Sequence, residues 1–269
     1  MKKYLPILGV ILVWSSAYPL IKIALAYMSP ILLAIIRLIV GGALLAIYAR
    51  GFVYGVKEFV SAILNVALFM VLLNFGVMLS PNPALSATLI YTQPVFIVIL
   101  SYFVFKEKVN LAKIIGVIIA IAGSIYASGD LNVNLGALIS IIGGFVWALG
   151  TIFYRKFLIN EDVAKLNSFM ALVSVPILFL FLPFHFYFNP SFEGILMAVI
   201  IGITAQALGF IFWFTSVKNL GSFRASALSL LVPPLSYFFS YLILGDIPTF
   251  EEILGSSLVL LGVLLTFKS

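Results

Sequence analysis

The chain has 269 residues, of which 64% are hydrophobic and only 9% are charged, and its formal net charge is +6. Ordinary soluble domains carry about a quarter charged residues, so this composition excludes a water-soluble globular protein. The absence of cysteine excludes disulfides and thiolate metal sites, and the single histidine, His185, excludes a zinc site built from several histidines.

Apolar runs recur along the chain at the length with which a helix crosses a hydrocarbon core, about 20 residues. They predict ten transmembrane helices, in chain order over residues 5–27, 31–49, 59–79, 84–105, 112–128, 135–154, 167–184, 194–217, 224–244 and 251–267. The start of the first run mimics a signal peptide, but apolar residues continue to Met28, which favours a spanning helix. The predicted fold class is therefore an all-α integral membrane protein with short connections and no soluble domain.

The basic residues predict how these helices are oriented. With the amino terminus in the cytoplasm, every lysine and arginine except Lys22 and Arg37 falls on the cytoplasmic side, whereas the external connections carry only acidic charges. This is the positive-inside distribution of membrane proteins. We therefore expect both termini in the cytoplasm, a multi-pass location in the cell (cytoplasmic) membrane, and basic side chains that contact lipid headgroups rather than nucleic acid.

The second half of the chain repeats the first. A shift of 139 positions aligns prolines, glycines and an acidic residue: Pro94 with Pro233, Gly116 with Gly255, Gly123 with Gly262, and Glu107 with Asp246. Because each copy has an odd number of helices, the second copy inserts upside down; the connection KEKVNLAK is basic, whereas its counterpart GDIPTFEE is acidic. We predict two inverted five-helix repeats, residues 1–130 and 131–269, which is a transporter architecture. The glycines are predicted to permit close helix contact.

The stretch WSSAYPLIKIAL, followed by Pro30 and LAIIRLIVGGALL, resembles the opening of EamA-type members of the drug/metabolite transporter (DMT) superfamily. Pro94 with FVFKEKV in the first half, and WALG, Pro233 and LGD in the second, fit the same family pattern. Two residues depart from it, since Ser15 stands in place of the usual glycine and Asp246 in place of the usual glutamate. The resemblance implies a central cavity lined by the first, third and fourth helices and their repeat partners.

Polar and aromatic side chains inside the spans are the candidates for binding a substrate there. In the first helix, Trp14, Tyr18 and Lys22 recur every four residues, with Ser15 beside them. The other candidates are Asn74, Tyr91, Gln93, Trp147, Thr151, Gln206, Phe210, Trp213, Ser229 and Tyr237. Helix kinks that free carbonyl oxygens or act in gating are predicted at Pro19, Pro94 and Pro233. Each of these side chains could instead serve helix packing.

Lys22 and Arg37 each lie roughly 9 Å below the predicted outer boundary, at about 1.5 Å per residue. Both could snorkel towards helix-end carbonyls and headgroups, which is the simpler interpretation of Arg37, or Lys22 could face a water-filled cavity and meet an anionic part of the substrate. Glu107 and Asp246 are interpreted as charges at helix ends. No acidic residue lies deep in a span, which argues against a proton relay through a buried carboxylate.

We predict a secondary transporter that moves small organic solutes by alternating access around a midplane cavity. Amino acids or related metabolites are the expected substrates, because a cavity with aromatic faces, amides and one cation suits a zwitterion or an organic anion. The direction of export is implied only by the family resemblance. The alternatives are other metabolites (nucleotide sugars, sugar phosphates or drug-like compounds) or a channel or scramblase. An enzyme is not expected, because His, Asp and Glu do not cluster. The expected partners are a small-molecule substrate and the lipid bilayer, with no nucleic acid, no cofactor and no metal, in a monomer or weak homodimer.

Overall fold

The computed structural model describes residues 2–79, 89–107, 110–127 and 134–267, and these residues are almost entirely helical. We number the helices α1 to α10 along the described chain: α1 Leu5–Ala24, α2 Pro30–Ala49, α3 Val56–Met78, α4 Ile90–Phe105, α5 Leu111–Ala127, α6 Leu135–Phe157, α7 Val163–Phe179, α8 Phe192–Leu220, α9 Ser222–Leu244 and α10 Phe250–Phe267. A short 3-10 turn, Lys2–Tyr4, precedes α1. The helices begin and end within a few residues of the predicted spans.

Six of these helices, α1, α2, α3, α6, α8 and α9, are long and apolar enough to cross a membrane. Helices α4, α5 and α7 are shorter and also apolar. The prediction of an all-α, multi-pass membrane protein is confirmed, whereas ten spans and cytoplasmic termini stay predictions. Several predicted features lie outside the described residues: residues 84–88 and 128 of two spans, Lys108, Asp130, Lys268 and the repeat boundary at 130–131.

Large apolar side chains point away from the bundle along the outer helices. Ile47 and Tyr48 at the end of α2 are each 77% exposed, and Phe103 and Leu264 are also exposed. In water such a surface would be costly, but against lipid chains it is the expected outer face of a membrane helix. The burial pattern therefore agrees with the composition.

Four helices are irregular near their middle or start. Helices α3 and α8 contain π-helical segments at Ile63–Ala67 and Gly202–Leu208, which the same 139-residue shift brings into register. Helix α4 begins with a 3-10 turn, and α9 is interrupted between Ser229 and Val232. The α-helical parts of α4 and α9 start next to Pro94 and Pro233, because proline lacks the N–H that would continue the earlier turn. Helix α1 continues through Pro19 to Ala24.

Helix packing pairs the two halves of the chain. Helix α2 packs against α7, and α5 packs against α10. Helix α1 packs against α8 and α9, and α6 packs in the equivalent way against α3 and α4. A Cβ atom on Gly116 would lie 2.6 Å from the carbonyl oxygen of Gly262, and one on Gly123 would lie 2.7 Å from that of Gly255. The prediction that these glycines permit close contact is confirmed, because any side chain there would force α5 and α10 apart.

Candidate functional site

A cavity of about 560 Å³ opens at one end of the bundle. Its wall takes one face of each helix, with residues three or four apart: Trp14, Ala17, Tyr18, Ile21 and Lys22 of α1, Leu33, Ala34 and Arg37 of α2, Met70, Leu73, Asn74 and Val77 of α3, and Pro233, Ser236, Tyr237 and Ser240 of α9. Lys22, Asp246, Pro248 and Glu252 lie around its mouth. The volume falls in the range of small-molecule sites, about 300 to 1,000 Å³.

The floor of the cavity is aromatic. Trp14 lies two helical turns below Lys22, and its ring centroid is 5.7 Å from those of Trp147 and Trp213, which are 5.0 Å from each other. Phe210 and Phe69 extend the cluster and also line the cavity. The floor therefore presents apolar ring faces to a bound solute. Stacking of two aromatic rings contributes roughly 0.5 to 1.5 kcal/mol beyond the burial of their surface.

A hydrogen bond to α8 holds Trp14 in this position. Its indole Nε1 donates to the carbonyl oxygen of Ala205, 3.0 Å away, inside the π-helical segment. Gly209 makes room for the indole, since a Cβ atom there would collide with Nε1 of Trp14. The sequence of α8 thus fixes the ring that the cavity exposes.

Tyrosine and arginine side chains line the middle of the cavity. The hydroxyl of Tyr18 donates to that of Tyr91 over 3.4 Å, and Tyr237 lies in the wall on α9. Arg37 lies in the wall on α2, and its Nε atom is buried without a hydrogen-bond partner. Within the described part of the chain Arg37 forms neither an ion pair nor a hydrogen bond to a helix-end carbonyl, and its side chain lines the cavity.

Lys22 lies at the mouth and has an acidic partner. Its Nζ is 2.8 Å from Oδ2 of Asp246, and the two side chains are 68% and 50% exposed. The interpretation of Asp246 as only a helix-end charge is therefore incomplete. The ion pair joins α1 to the connection between α9 and α10, across the cavity entrance.

A second ion pair lies at the opposite end of the bundle. Nη2 of Arg155 is 2.6 Å from Oε1 of Glu107, and Nη1 donates to Oγ of Ser222 over 3.1 Å. Ser222 begins α9, whereas Asp246 follows its end, so the two pairs are separated by roughly the 35 Å length of this 23-residue helix. The cavity does not reach this second pair, because the aromatic floor lies between them.

Several of the predicted site residues meet in the cavity wall: Trp14, Tyr18, Lys22, Asn74, Tyr91, Trp147, Phe210 and Tyr237, together with Pro19 and Pro233. The structure places the others in helix contacts. Ser15 donates to the carbonyl oxygen of Val232 over 3.0 Å, and Gln93 donates to Thr151 over 3.2 Å. The remaining residues outside the wall are Gln206, which packs on Gly41, Trp213 behind Trp14, Ser229, which bonds Ser226, and Pro94.

The cavity also contains residues that the sequence did not single out as substrate ligands. Those with aromatic or charged side chains are Arg37, Phe69, Asp246 and Glu252. The signal for Arg37 was its position on one helical face with Leu33 and Ala34, in a span without an acidic residue. The signal for the second ion pair was the repeat itself, because the offset that aligns Trp14 with Trp147 also aligns Lys22 with Arg155.

Comparison with known proteins places this architecture in a family. The model of the EamA-like transporter family matches residues 1–129 and again 134–268. The uncharacterized transporter YoaV of Bacillus subtilis is 25% identical, over 97% of this chain and 95% of its own. A probable amino-acid metabolite efflux pump of Escherichia coli is 27% identical, over 94% and 91%. A solved crystal structure of a protein superposes with a TM-score of 0.85 at 21% identity, covering 99% of this chain and 96% of that one, which shows a shared fold.

Proposed function

This chain belongs to the EamA-like transporter family, and from that premise we propose that it moves a small organic solute across the cell membrane by alternating access. The observation that carries the proposal is a cavity that opens at one end of the bundle and ends at an aromatic floor before the ion pair at the other end. A transporter needs such a state, because the solute must reach the site from only one side at a time. A channel would need a continuous polar path, which this floor interrupts.

The two halves of the chain, residues 1–130 and 131–269, are the inverted five-helix repeats of this transporter. The family match to each half supports this assignment, as do the equivalent positions of the π-helical segments and the reciprocal glycine contacts of α5 and α10. Such repeats give ten spans with both termini in the cytoplasm. Exchange of the two repeat conformations then converts a cavity open to one face into one open to the other.

The two ion pairs are the equivalent gates of these repeats. Lys22 with Asp246 and Arg155 with Glu107 each join the first helix of one repeat to the end of the fourth helix of the other. The exposed pair of Lys22 and Asp246 contributes only about 0 to 1 kcal/mol, so breaking or re-forming it costs little. Both pairs are formed in this state, but only the pair near Ser222 lies at the end that the cavity does not reach, and we take that end as the closed one.

Amino acids or related metabolites are the solutes that this cavity suits. Indole and phenyl rings receive an apolar side chain, while tyrosine hydroxyls, the amide of Asn74 and cationic groups receive the polar end. The name of the Escherichia coli relative supports this substrate class and the direction of export. Export from the cytoplasm is the direction that we propose.

Counterflow in proteoliposomes tests the function. Vesicles are preloaded with an unlabelled amino acid, and the entry of the labelled amino acid is measured over a range of concentrations. We expect entry that saturates and that internal substrate accelerates, because an alternating-access carrier returns faster when loaded. Protein-free vesicles are the control. Entry that rises linearly and does not respond to internal substrate would contradict the proposal and indicate a channel.

A further inference from the structure

Two basic side chains line the cavity, and only one of them is paired. Lys22 is 2.8 Å from Asp246, whereas Arg37 has no ion pair and no hydrogen bond among the residues that the structure describes. Its Nε atom is buried without a partner. The rest of the side chain is only partly exposed, at the cavity. A charged group that is partly withdrawn from water and left unpaired is costly, so this position favours an anionic partner that the described residues do not supply.

The chemistry of Arg37 defines the kind of anion. A guanidinium presents its N–H donors in a planar fork that matches the two oxygens of a carboxylate or a phosphate. Tyr18 and Tyr91 line the same cavity and add hydroxyl donors. Tyr18 lies one helical turn above Trp14, so the apolar remainder of a ligand reaches the aromatic floor over roughly 6 Å.

We propose that Arg37 binds the carboxylate of an aromatic or large apolar organic acid, with the apolar part on the floor formed by Trp14, Trp147 and Phe210. This inference rests on the proposed transport function and names the substrate class of the same cavity. The carboxylate is preferred to a phosphate because the floor beneath it is made of indole and phenyl rings, which suit a hydrocarbon side chain. Lys22 is then a gate residue, and Arg37 is the residue that recognises the solute.

Thermal unfolding of the detergent-purified protein tests the inference, because a ligand of the folded state raises its melting temperature. The probes share one phenyl ring: phenylalanine, 3-phenylpropionate, phenylalanine amide, phenethylamine and phenyl phosphate. We expect the two carboxylates to stabilise the wild type and the amide and the amine to have no effect. In Arg37→Gln the Kd for the carboxylates is expected to rise roughly tenfold to a hundredfold, as for the loss of a charged hydrogen bond.

Two further variants separate binding from folding. Arg50→Gln removes the same charge from the exposed end of the same helix, and its affinity for the carboxylates is expected to equal that of the wild type. Arg37→Lys keeps the charge and loses the fork, so intermediate affinity is expected. Carboxylate affinity that is unchanged in both Arg37 variants would overturn the inference.

The choice of probes separates this inference from the proposed function. Stabilisation by the amide or the amine as strong as by phenylalanine, stabilisation by phenyl phosphate alone, or no stabilisation by either carboxylate would each overturn the carboxylate site. Saturable counterflow of another solute in the same preparation would leave the proposed function standing. Carboxylate binding without counterflow would support the Arg37 site and count against transport.

Discussion

Lys22 and Arg37 are basic residues at similar predicted depths, but their surroundings differ. Lys22 reaches Asp246 at the mouth with most of its side chain exposed, while Arg37 faces the cavity and forms no ion pair with any residue that the structure describes. A pair so exposed is screened by solvent and salt, so its contribution to the free energy of unfolding is small. We therefore propose that the Lys22 pair acts in conformational exchange rather than in stability.

Replacement of Lys22 by Gln should leave the melting temperature almost unchanged and lower the rate of counterflow. The physical reason is that the variant removes an attraction of at most about 1 kcal/mol from the folded state, which hardly affects unfolding. The same change shifts the equilibrium between the open and closed conformations. Asp246→Asn should give the same pattern, and the charge-swapped double variant Lys22→Asp/Asp246→Lys should recover part of the rate. Initial rates and melting temperatures of all three variants are compared with the wild type. Single variants with wild-type rates would remove the pair from the mechanism.

At the scale of elements, the contact of α5 with α10 rests on glycines. Gly116 and Gly123 face the carbonyl oxygens of Gly262 and Gly255, and the relation is reciprocal. Lipid chains are as apolar as the side chains they would displace, so close backbone packing, more than the hydrophobic effect, holds these helices together. This contact lies away from the cavity wall.

Gly116→Val should lower stability without changing substrate affinity. The added side chain begins with a Cβ atom 2.6 Å from the oxygen of Gly262, and such overpacking costs about 1 to 3 kcal/mol. Ile118→Val is the matched control, because Ile118 lies on the same helix and is 55% exposed. Thermal unfolding and ligand titration of both variants measure the two effects. An equal melting temperature for Gly116→Val and Ile118→Val would show that the close contact is not required.

At the scale of the whole molecule, the two ion pairs lie at opposite ends of a bundle whose halves are proposed to exchange conformations. The pair of Arg155 and Glu107 is the better supported of the two, since Arg155 also bonds Ser222 and lies 4.2 Å from the ring centroid of Phe105. The side chains of this pair are 24% and 37% exposed, less than those at the mouth. In the proposed mechanism, the end where Arg155 lies is therefore the closed one in this state.

Crosslinking should trap this state. The chain contains no cysteine, so Glu107→Cys/Arg155→Cys introduces a single pair of thiols at the closed end. A short thiol crosslinker should stop counterflow while ligand binding to the open cavity persists, and reduction of a cleavable crosslinker should restore transport. Each single cysteine variant with the same reagent is the control. Counterflow that continues in the crosslinked protein would mean that this end does not open during transport.

Local sequence determined the helices of this protein and several of its candidate cavity residues. Apolar length and charge placement predicted the helices to within a few residues, because the cost of polar groups in a hydrocarbon core acts on each segment by itself. Pro94 and Pro233 marked the interrupted helices for an equally local reason, their missing N–H groups. Trp14 and Tyr18 were recognised because aromatic and polar groups stood out on an apolar face.

Only the tertiary structure decided which of these candidates meet. Ser15 is adjacent to Trp14, yet it bonds α9 while Trp14 faces the cavity, because neighbours on a helix point about 100° apart and helix rotation depends on packing. The partner of Lys22 lies 224 positions away in the chain. The role of Arg37 stays open from the sequence, with snorkelling the simpler interpretation, because depth alone does not distinguish a lipid-facing side from a cavity. Hydropathy acts segment by segment and determines what crosses the membrane, whereas the walls of a cavity belong to several helices at once and exist only after they pack.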